Sequence, residues 1–191
     1  MKRNKALTLY AILFVAILAV DLWSKAVVFD MLEVEVLHPE GRAPVVGYQQ
    51  RKPIFESWLS LEATLNPGGF SGWFAGNMWF LIPVSSLAVI GTALFVGAPK
   101  QTRPIVVVCL GLIAGGAAGN LYDRATEGAV RDFIAVYYGD WVWPNFNIAD
   151  SALCVGFALL VLSEFFGPKE KPDATADATK PGGEASPPKP T

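Results

Sequence analysis

Four long apolar stretches constrain what this chain can fold into more than any other feature of its sequence. Crossing a bilayer takes roughly 20 residues of apolar helix. The stretches run from about Ala6 to Phe29, from Met78 to about Gly97, from Ile105 to about Tyr122, and from about Ile148 to Phe166. Backbone groups in lipid have no water to bond, so each stretch is expected to be a helix. Residues 1–166 then form one membrane domain, with spans at about 6–29, 78–97, 105–122 and 148–166. The first stretch follows Lys2, Arg3 and Lys5, a pattern that secretory signal peptides share. No small-x-small cleavage site follows it, and three spans lie downstream, so a retained anchor is expected.

Lysine and arginine near span ends give an orientation. Lys2, Arg3 and Lys5 precede the first span, Lys100 and Arg103 sit in the short second connection, and Lys169 and Lys171 follow the fourth span. Arg42, Arg51 and Lys52 are diluted over a long first connection. Both termini are therefore expected in the cytoplasm, with segments 30–77 and 123–147 on the outer side. Trp73, Trp79, Trp141 and Trp143 would form an aromatic belt there.

Within the first outer segment, Leu59, Leu61, Ala63 and Leu65 alternate with Ser60, Glu62, Thr64 and Asn66. That is the period of a half-buried strand. The expected fold is a mainly α membrane protein: four transmembrane helices with a small extracytoplasmic β-sheet between the first and second, in the outer loop 30–77. From Gly167 to Thr191 almost nothing could be buried, so 167–191 is expected to be a disordered cytoplasmic tail.

The formal net charge of -2 gives no reason to expect a nucleic-acid partner. Cys109 and Cys154 lie within apolar runs and read as small buried hydrophobes, not a disulfide. His38 is the one histidine, and with two such cysteines it makes no zinc site of ordinary spacing. No cofactor or metal is expected.

Charge at membrane depth is costly and usually functional. Asp21 and Lys25 stand at i, i+4 near the outer end of the first span and can pair on one helix face. Gly111, Gly115 and Gly119, with Gly116 and Ala118 beside them, make a small-residue stripe that lets helices approach closely. It is expected to bring the outer ends of the third and fourth spans together. Those ends carry Asn120, Asp123 and Arg124, then Arg131 and Asp132, then Asn147 and Asp150. Two carboxylates held close share a proton, so one can take a proton from water while the other polarises a carbonyl. The spacing is equally that of Asn147 and Asp150 capping the fourth helix.

In order, these blocks resemble the motifs of lipoprotein signal peptidase, signal peptidase II. Asp21-Leu22-Trp23-Ser24-Lys25 is similar to the family's Asp-x-x-Ser/Thr-Lys, and Asn66-Pro67-Gly68-Gly69-Phe70 to its Asn-x-Gly-x-x-Phe, one residue short. Gly115 to Arg124, the Asp132-Phe133 pair and Phe146-Asn147-Ile148-Ala149-Asp150-Ser151 match its later blocks closely. The resemblance covers roughly Leu7 to Phe166. It leaves out the tail, an insertion at about Glu33–Lys52 and Arg131, which stands where the family usually has an apolar residue.

The resemblance implies a multi-pass peptidase of the bacterial inner membrane, with its active site at the outer face. Such an enzyme removes the signal peptide of diacylglyceryl-modified prolipoproteins just before the lipidated cysteine. Asp132 and Asp150 would be its catalytic dyad, with Asn120, Asp123, Arg124 and Asn147 supporting it. Asp21, Lys25, Asn66 and Gly68 would shape the substrate groove. The implied partners are lipidated prolipoproteins and membrane lipid, and the implied state is a monomer. An ion- or proton-coupled transporter would use the same carboxylates, but they cluster at one face and mark no path through the bilayer. A non-catalytic membrane scaffold would use them only as caps and glue.

Overall fold

The computed structural model describes residues 1–47, 51–55, 58–68, 78–98 and 102–166. Four helices, α1 (Arg3–Met31), α2 (Met78–Gly97), α3 (Pro104–Thr126) and α4 (Ile148–Phe166), carry the chain. Each is long and apolar enough to cross a membrane. Their outward faces are apolar too: Leu87 and Leu94 of α2 are 69% and 71% exposed. A continuous apolar surface of this kind is stable against lipid and not against water. Trp73, the Trp79 side chain, Lys100, Gly69, Phe70 and the 167–191 tail lie outside the described residues.

The third helix runs one turn past its expected end at Tyr122, so Asp123 and Arg124 are still helical. That turn closes on the Glu127 N–H, which donates to the Asp123 carbonyl at 2.8 Å. Its polar side chains find partners on α1 and on a strand, so polarity does not end the helix.

Glycines decide how closely α3 packs, but not as the stripe suggested. Gly111 and Gly115 face α1: a Cβ on Gly111 would meet Leu13 Cβ at 2.8 Å, and one on Gly115 would meet Ile17 Cβ at 2.7 Å, while Gly119 lies between Asp21 of α1 and Ala149 of α4. Gly116, about 100° around the helix from Gly115, admits α4 instead, since a Cβ there would collide with the Ala149 carbonyl oxygen. Gly156 answers from α4, lying against Cys109 O and Ile113. Cys109 is buried and Cys154 faces outward; both are free thiols, so only Cys109 is the buried hydrophobe expected of both.

Two apolar clusters bracket the bundle. At one end Ala6, Tyr10, Val96, Val106, Val107, Leu110 and Ala114 join α1, α2 and α3. At the other, Val28 and Phe29 of α1 and Leu32 just beyond it pack on Ala63, Leu65, Ala129 and Phe133. This second cluster seats the sheet on the helices.

The sheet is larger than its expected place between the first two helices allows. A short hairpin, β1 (Val36–Leu37) with β2 (Val45–Val46), lies in that connection, as do β3 (Arg51–Phe55) and β4 (Leu59–Asn66). The main antiparallel sheet has the order β3-β4-β5-β6, and β5 (Val130–Tyr138) and β6 (Trp141–Phe146) come from the connection between α3 and α4. The connection between α1 and α2 and the connection between α3 and α4 thus build one sheet.

Its central pair contains a bulge. Leu61 pairs with Ile134 and Thr64 with Asp132, so Glu62 and Ala63 together oppose Phe133. One extra residue turns every later side chain to the other face. Ser60 is therefore buried before the bulge, and Ala63 and Leu65 after it. The simple alternation of Leu59–Asn66 breaks at this point, and the bulge leaves Thr64 opposite Asp132.

Candidate active site

Lys25 is the most deeply placed cation, fully buried in α1. Its Nζ lies 2.7 Å from Asp21 Oδ2, a fully buried ion pair. The same atom is 3.0 Å from Asp123 Oδ2 and 3.3 Å from Asn120 Oδ1, both on α3. Asp21 Oδ1 accepts the Ala149 N–H at 2.9 Å, satisfying one of the donors that the first turn of α4 leaves open. Asp21 also fills the space a Cβ on Gly119 would need. The i, i+4 pair expected on α1 is thus the hinge among α1, α3 and α4.

At the start of α4, Asn147 and Asp150 cap the helix reciprocally. The Asp150 N–H donates to Asn147 Oδ1 at 2.9 Å, and the Asn147 N–H to Asp150 Oδ2 at 3.3 Å. This is a capping box built from asparagine and aspartate. It does not exhaust either side chain. Asp150 Oδ1 accepts Asn120 Nδ2 at 2.7 Å. Asn147 Nδ2 donates to Asp132 Oδ1 at 2.7 Å and also reaches Asn120 Oδ1 at 3.1 Å and the Arg131 carbonyl at 3.3 Å. Capping and convergence on the carboxylates are one arrangement, and Asn147 touches both Asp132 and Asp150.

Asp132 projects inward from β5 and is 1% exposed. Its Oδ2 accepts Asn66 Nδ2 at 3.0 Å. Asn66 Oδ1 in turn accepts the Gly68 N–H at 3.1 Å, which turns the chain away at the end of β4. Burial, reinforced by the nearby Asp150 carboxylate, pushes Asp132 up to about 7, against the pull of the Asn66 and Asn147 donors and of Lys25. A carboxyl with that value can hold or release a proton near neutrality.

Asp123 faces two cations. Lys25 takes Oδ2, while Arg131 Nη2 and Nε lie 2.6 and 3.1 Å from Oδ1. Arg124 Nη1 donates to the Asn120 carbonyl at 3.3 Å, and its Nε has no partner among the described residues. Its charge is within electrostatic reach of Asp123, Asp132 and Asp150.

A cavity of about 400 Å³ opens beside Asp132, lined also by Glu62, Thr64, Asn66, Pro144 and Asn145. Asn145 Nδ2 donates to Thr64 Oγ1 at 2.7 Å across it. Every site residue expected from the sequence, Asp21, Lys25, Asn66, Gly68, Asn120, Asp123, Arg124, Asp132, Asn147 and Asp150, therefore lies on this network or at its rim. Sequence reasoning missed Arg131 as a partner of Asp123, and Thr64 and Asn145 on the cavity wall. All three depend on the pairing of β4, β5 and β6, which no local pattern encodes. Among the described residues no three His, Cys, Asp or Glu side chains are grouped to hold a metal ion. His38 is exposed beyond β1.

Comparison with known proteins adds identity to this geometry. The family model described as signal peptidase (SPase) II matches residues 13–166. A lipoprotein signal peptidase of Halalkalibacterium halodurans is 32% identical over 154 residues, covering 81% of this chain and 90% of that protein. One from Symbiobacterium thermophilum is 39% identical over 109 residues, covering 57% of this chain and 72% of that one. Among solved structures, a bacterial membrane enzyme determined by the in meso method superposes with a TM-score of 0.68. It is 24% identical, and the match covers 85% of this chain and 93% of that one. That likeness establishes the fold, and with the four apolar helices it makes this a multi-pass membrane protein.

Proposed function

This chain belongs to the signal peptidase II family, and from that premise we propose that it is an aspartic endopeptidase that trims lipid-modified precursors at a membrane surface. The substrate is a prolipoprotein already bearing diacylglycerol on a cysteine, and the bond cut is the one preceding that cysteine. The observation that carries this reading is the convergence of Asp132 and Asp150 on Asn147, with Asp132 pushed up to about 7.

Asp132 and Asp150 share one proton. The ionised partner of the pair takes a proton from an attacking water. The protonated partner donates to the scissile carbonyl oxygen as the tetrahedral centre forms, and the proton is then passed to the leaving amine. Asn120 and Asn147 fix the carboxylates through the bonds above. Arg124 offsets their charge, and the Lys25 cluster fixes the helices that carry them. The extended precursor would lie in the cavity beside Asp132, between Asn66 and Asn145. Its acyl chains would stay in lipid, against the outward apolar faces of the helices.

Basic residues at the opposite end of the bundle support a cytoplasmic location for both termini and an outer location for the carboxylates. The membrane would be the bacterial cytoplasmic membrane, and the protein a monomer.

The test is incubation of purified protein with a diacylglyceryl prolipoprotein, reading the shorter product. Wild-type protein should cleave it, while Asp132→Asn and Asp150→Asn should each lose roughly 10²–10⁴ in rate and remain folded in detergent. No product from the wild type, or near-normal turnover by either variant, would overturn the mechanism.

A further inference from the structure

Arg131 stands out because it spends a charged side chain on a carboxylate that already has a cation. Asp123 is fully buried and paired with Lys25, yet Arg131 adds two side-chain contacts and its own backbone N–H, which donates to Asp123 Oδ2 at 3.0 Å. The Arg131 carbonyl accepts Asn147 Nδ2 at 3.3 Å. The residue preceding Asp132 is thus held on one side by α3 and on the other by the asparagine that touches both carboxylates.

The charges explain why a second cation is useful. Asp21, Asp123, Asp132 and Asp150 supply four carboxylates, and Lys25, Arg124 and Arg131 supply three cations. One proton shared by Asp132 and Asp150 leaves three negative charges facing three positive ones. Without Arg131 the same state carries an uncompensated buried negative charge, which a low-dielectric site tolerates poorly.

We propose that Arg131 is a positioning residue for the carboxylate pair, keeping the buried cluster neutral while Asp132 and Asp150 share a single proton. The proposal rests on the peptidase reading for its role in catalysis, but the seat of Arg131 between Asp123 and Asn147 stands on the contacts alone. Other charges around the cluster do not replace it. Glu62 on β4 lines the Asp132 cavity but is engaged by Arg51 and Tyr137. Asp30, Glu33 and Glu127 share a cavity of about 420 Å³ with Arg131, and none of them can supply a cation.

Arg131→Gln keeps a donor for Asp123 and removes the charge; Arg131→Lys keeps the charge and loses the forked contact. An uncompensated unit charge roughly 10 Å from a carboxylate shifts its titration by about one pH unit at an effective dielectric near 20. Added negative charge makes a proton harder to lose. Both limbs of the pH–rate profile for prolipoprotein cleavage should therefore move upward in Arg131→Gln by about that amount, with wild-type limbs retained in Arg131→Lys. A purely structural role would lower the rate equally at every pH.

Infrared titration of the buried carboxyl stretch reads the same proton without any cleavage. Its midpoint should rise in Arg131→Gln and stay in Arg131→Lys. An unmoved midpoint in folded Arg131→Gln overturns the proposal. If Arg131→Gln fails to fold, a shifted midpoint in Arg131→Lys overturns it instead. Absence of cleavage by the wild type with the expected infrared shifts would sink the peptidase reading and leave the charge balance standing.

Discussion

The two ends of this helix bundle handle charge in opposite ways. At the end where α1 begins and α4 finishes, Lys2, Arg3 and Lys5 are exposed. Arg103 meets Glu164 at 3.1 Å with side chains 25% and 63% exposed. At the other end Asp21, Lys25 and Asp123 are fully buried, and Asp132 nearly so. The first end is a set of exposed or half-exposed charges with one open ion pair, and costs little to assemble or dismantle. The second is a closed network in which each ionised group needs its neighbours, because no water can take their place. Function is expected where the charge is expensive, and among the described residues only that end brings carboxylates together beside a cavity.

The sharpest way to break this contrast is to ask whether a membrane separates the ends. Single cysteines at Asn4 and Asp140, in a Cys109→Ala, Cys154→Ala background, report on one end each. Asp140 is preferable to its neighbour Gly139, whose φ of +59° disfavours any side chain. With an impermeant thiol reagent on intact cells, Asp140→Cys should label and Asn4→Cys should label only after lysis. Equal labelling of both, or the reverse pattern, would show that the basic residues do not mark the cytoplasmic side and would remove the outer placement of Asp132 and Asp150.

The two ends were also unequally legible in the sequence. Asp21 and Lys25, Asn120 to Arg124, and Asn147 with Asp150 each sit at helical spacing, so one span displays its share of the site by itself. Four apolar stretches of spanning length likewise declared the bundle. What stayed hidden were long-range pairings. Val130–Tyr138 carries Arg131 and Asp132 at its start and then runs almost wholly apolar, so it shows no period of two, although it forms the strand that holds Asp132. The bulge opposite Phe133 reversed the faces of Leu59–Asn66 halfway along. The glycine stripe announced close packing but not its partner, because which face meets α1 and which α4 depends on how three helices are arranged.

A smaller effect, but still a large one, should follow from opening the buried network. Lys25→Met leaves Asp21 without its cation and Asp123 with Arg131 alone, and should destabilise the protein in detergent by about 3–5 kcal/mol, the cost of stranding a buried charge. Adding Asp21→Asn should recover part of the loss, since a neutral side chain at that position can still accept the Ala149 N–H. A Lys25→Met protein as stable as the wild type would mean that water reaches this cluster and that the two ends are not different in kind.

The smallest effect belongs to the exposed pair, and it sets the scale for the rest. Arg103 also donates from Nη2 to the Ser163 carbonyl at 2.6 Å, near the C-terminus of α4, where a cation favours the helix dipole. Glu164→Gln removes the ion pair and keeps that bond. It should cost about 0–1 kcal/mol in thermal unfolding, and less as salt is added, because a pair this exposed is screened. Arg103→Ala removes both contacts, so its excess over Glu164→Gln measures the carbonyl bond, roughly 1.5–3 kcal/mol at most for a charged donor. Should Glu164→Gln alone cost as much as Lys25→Met, exposure would not be what separates the two ends. The buried cluster would then need some other reason for its concentration of charge.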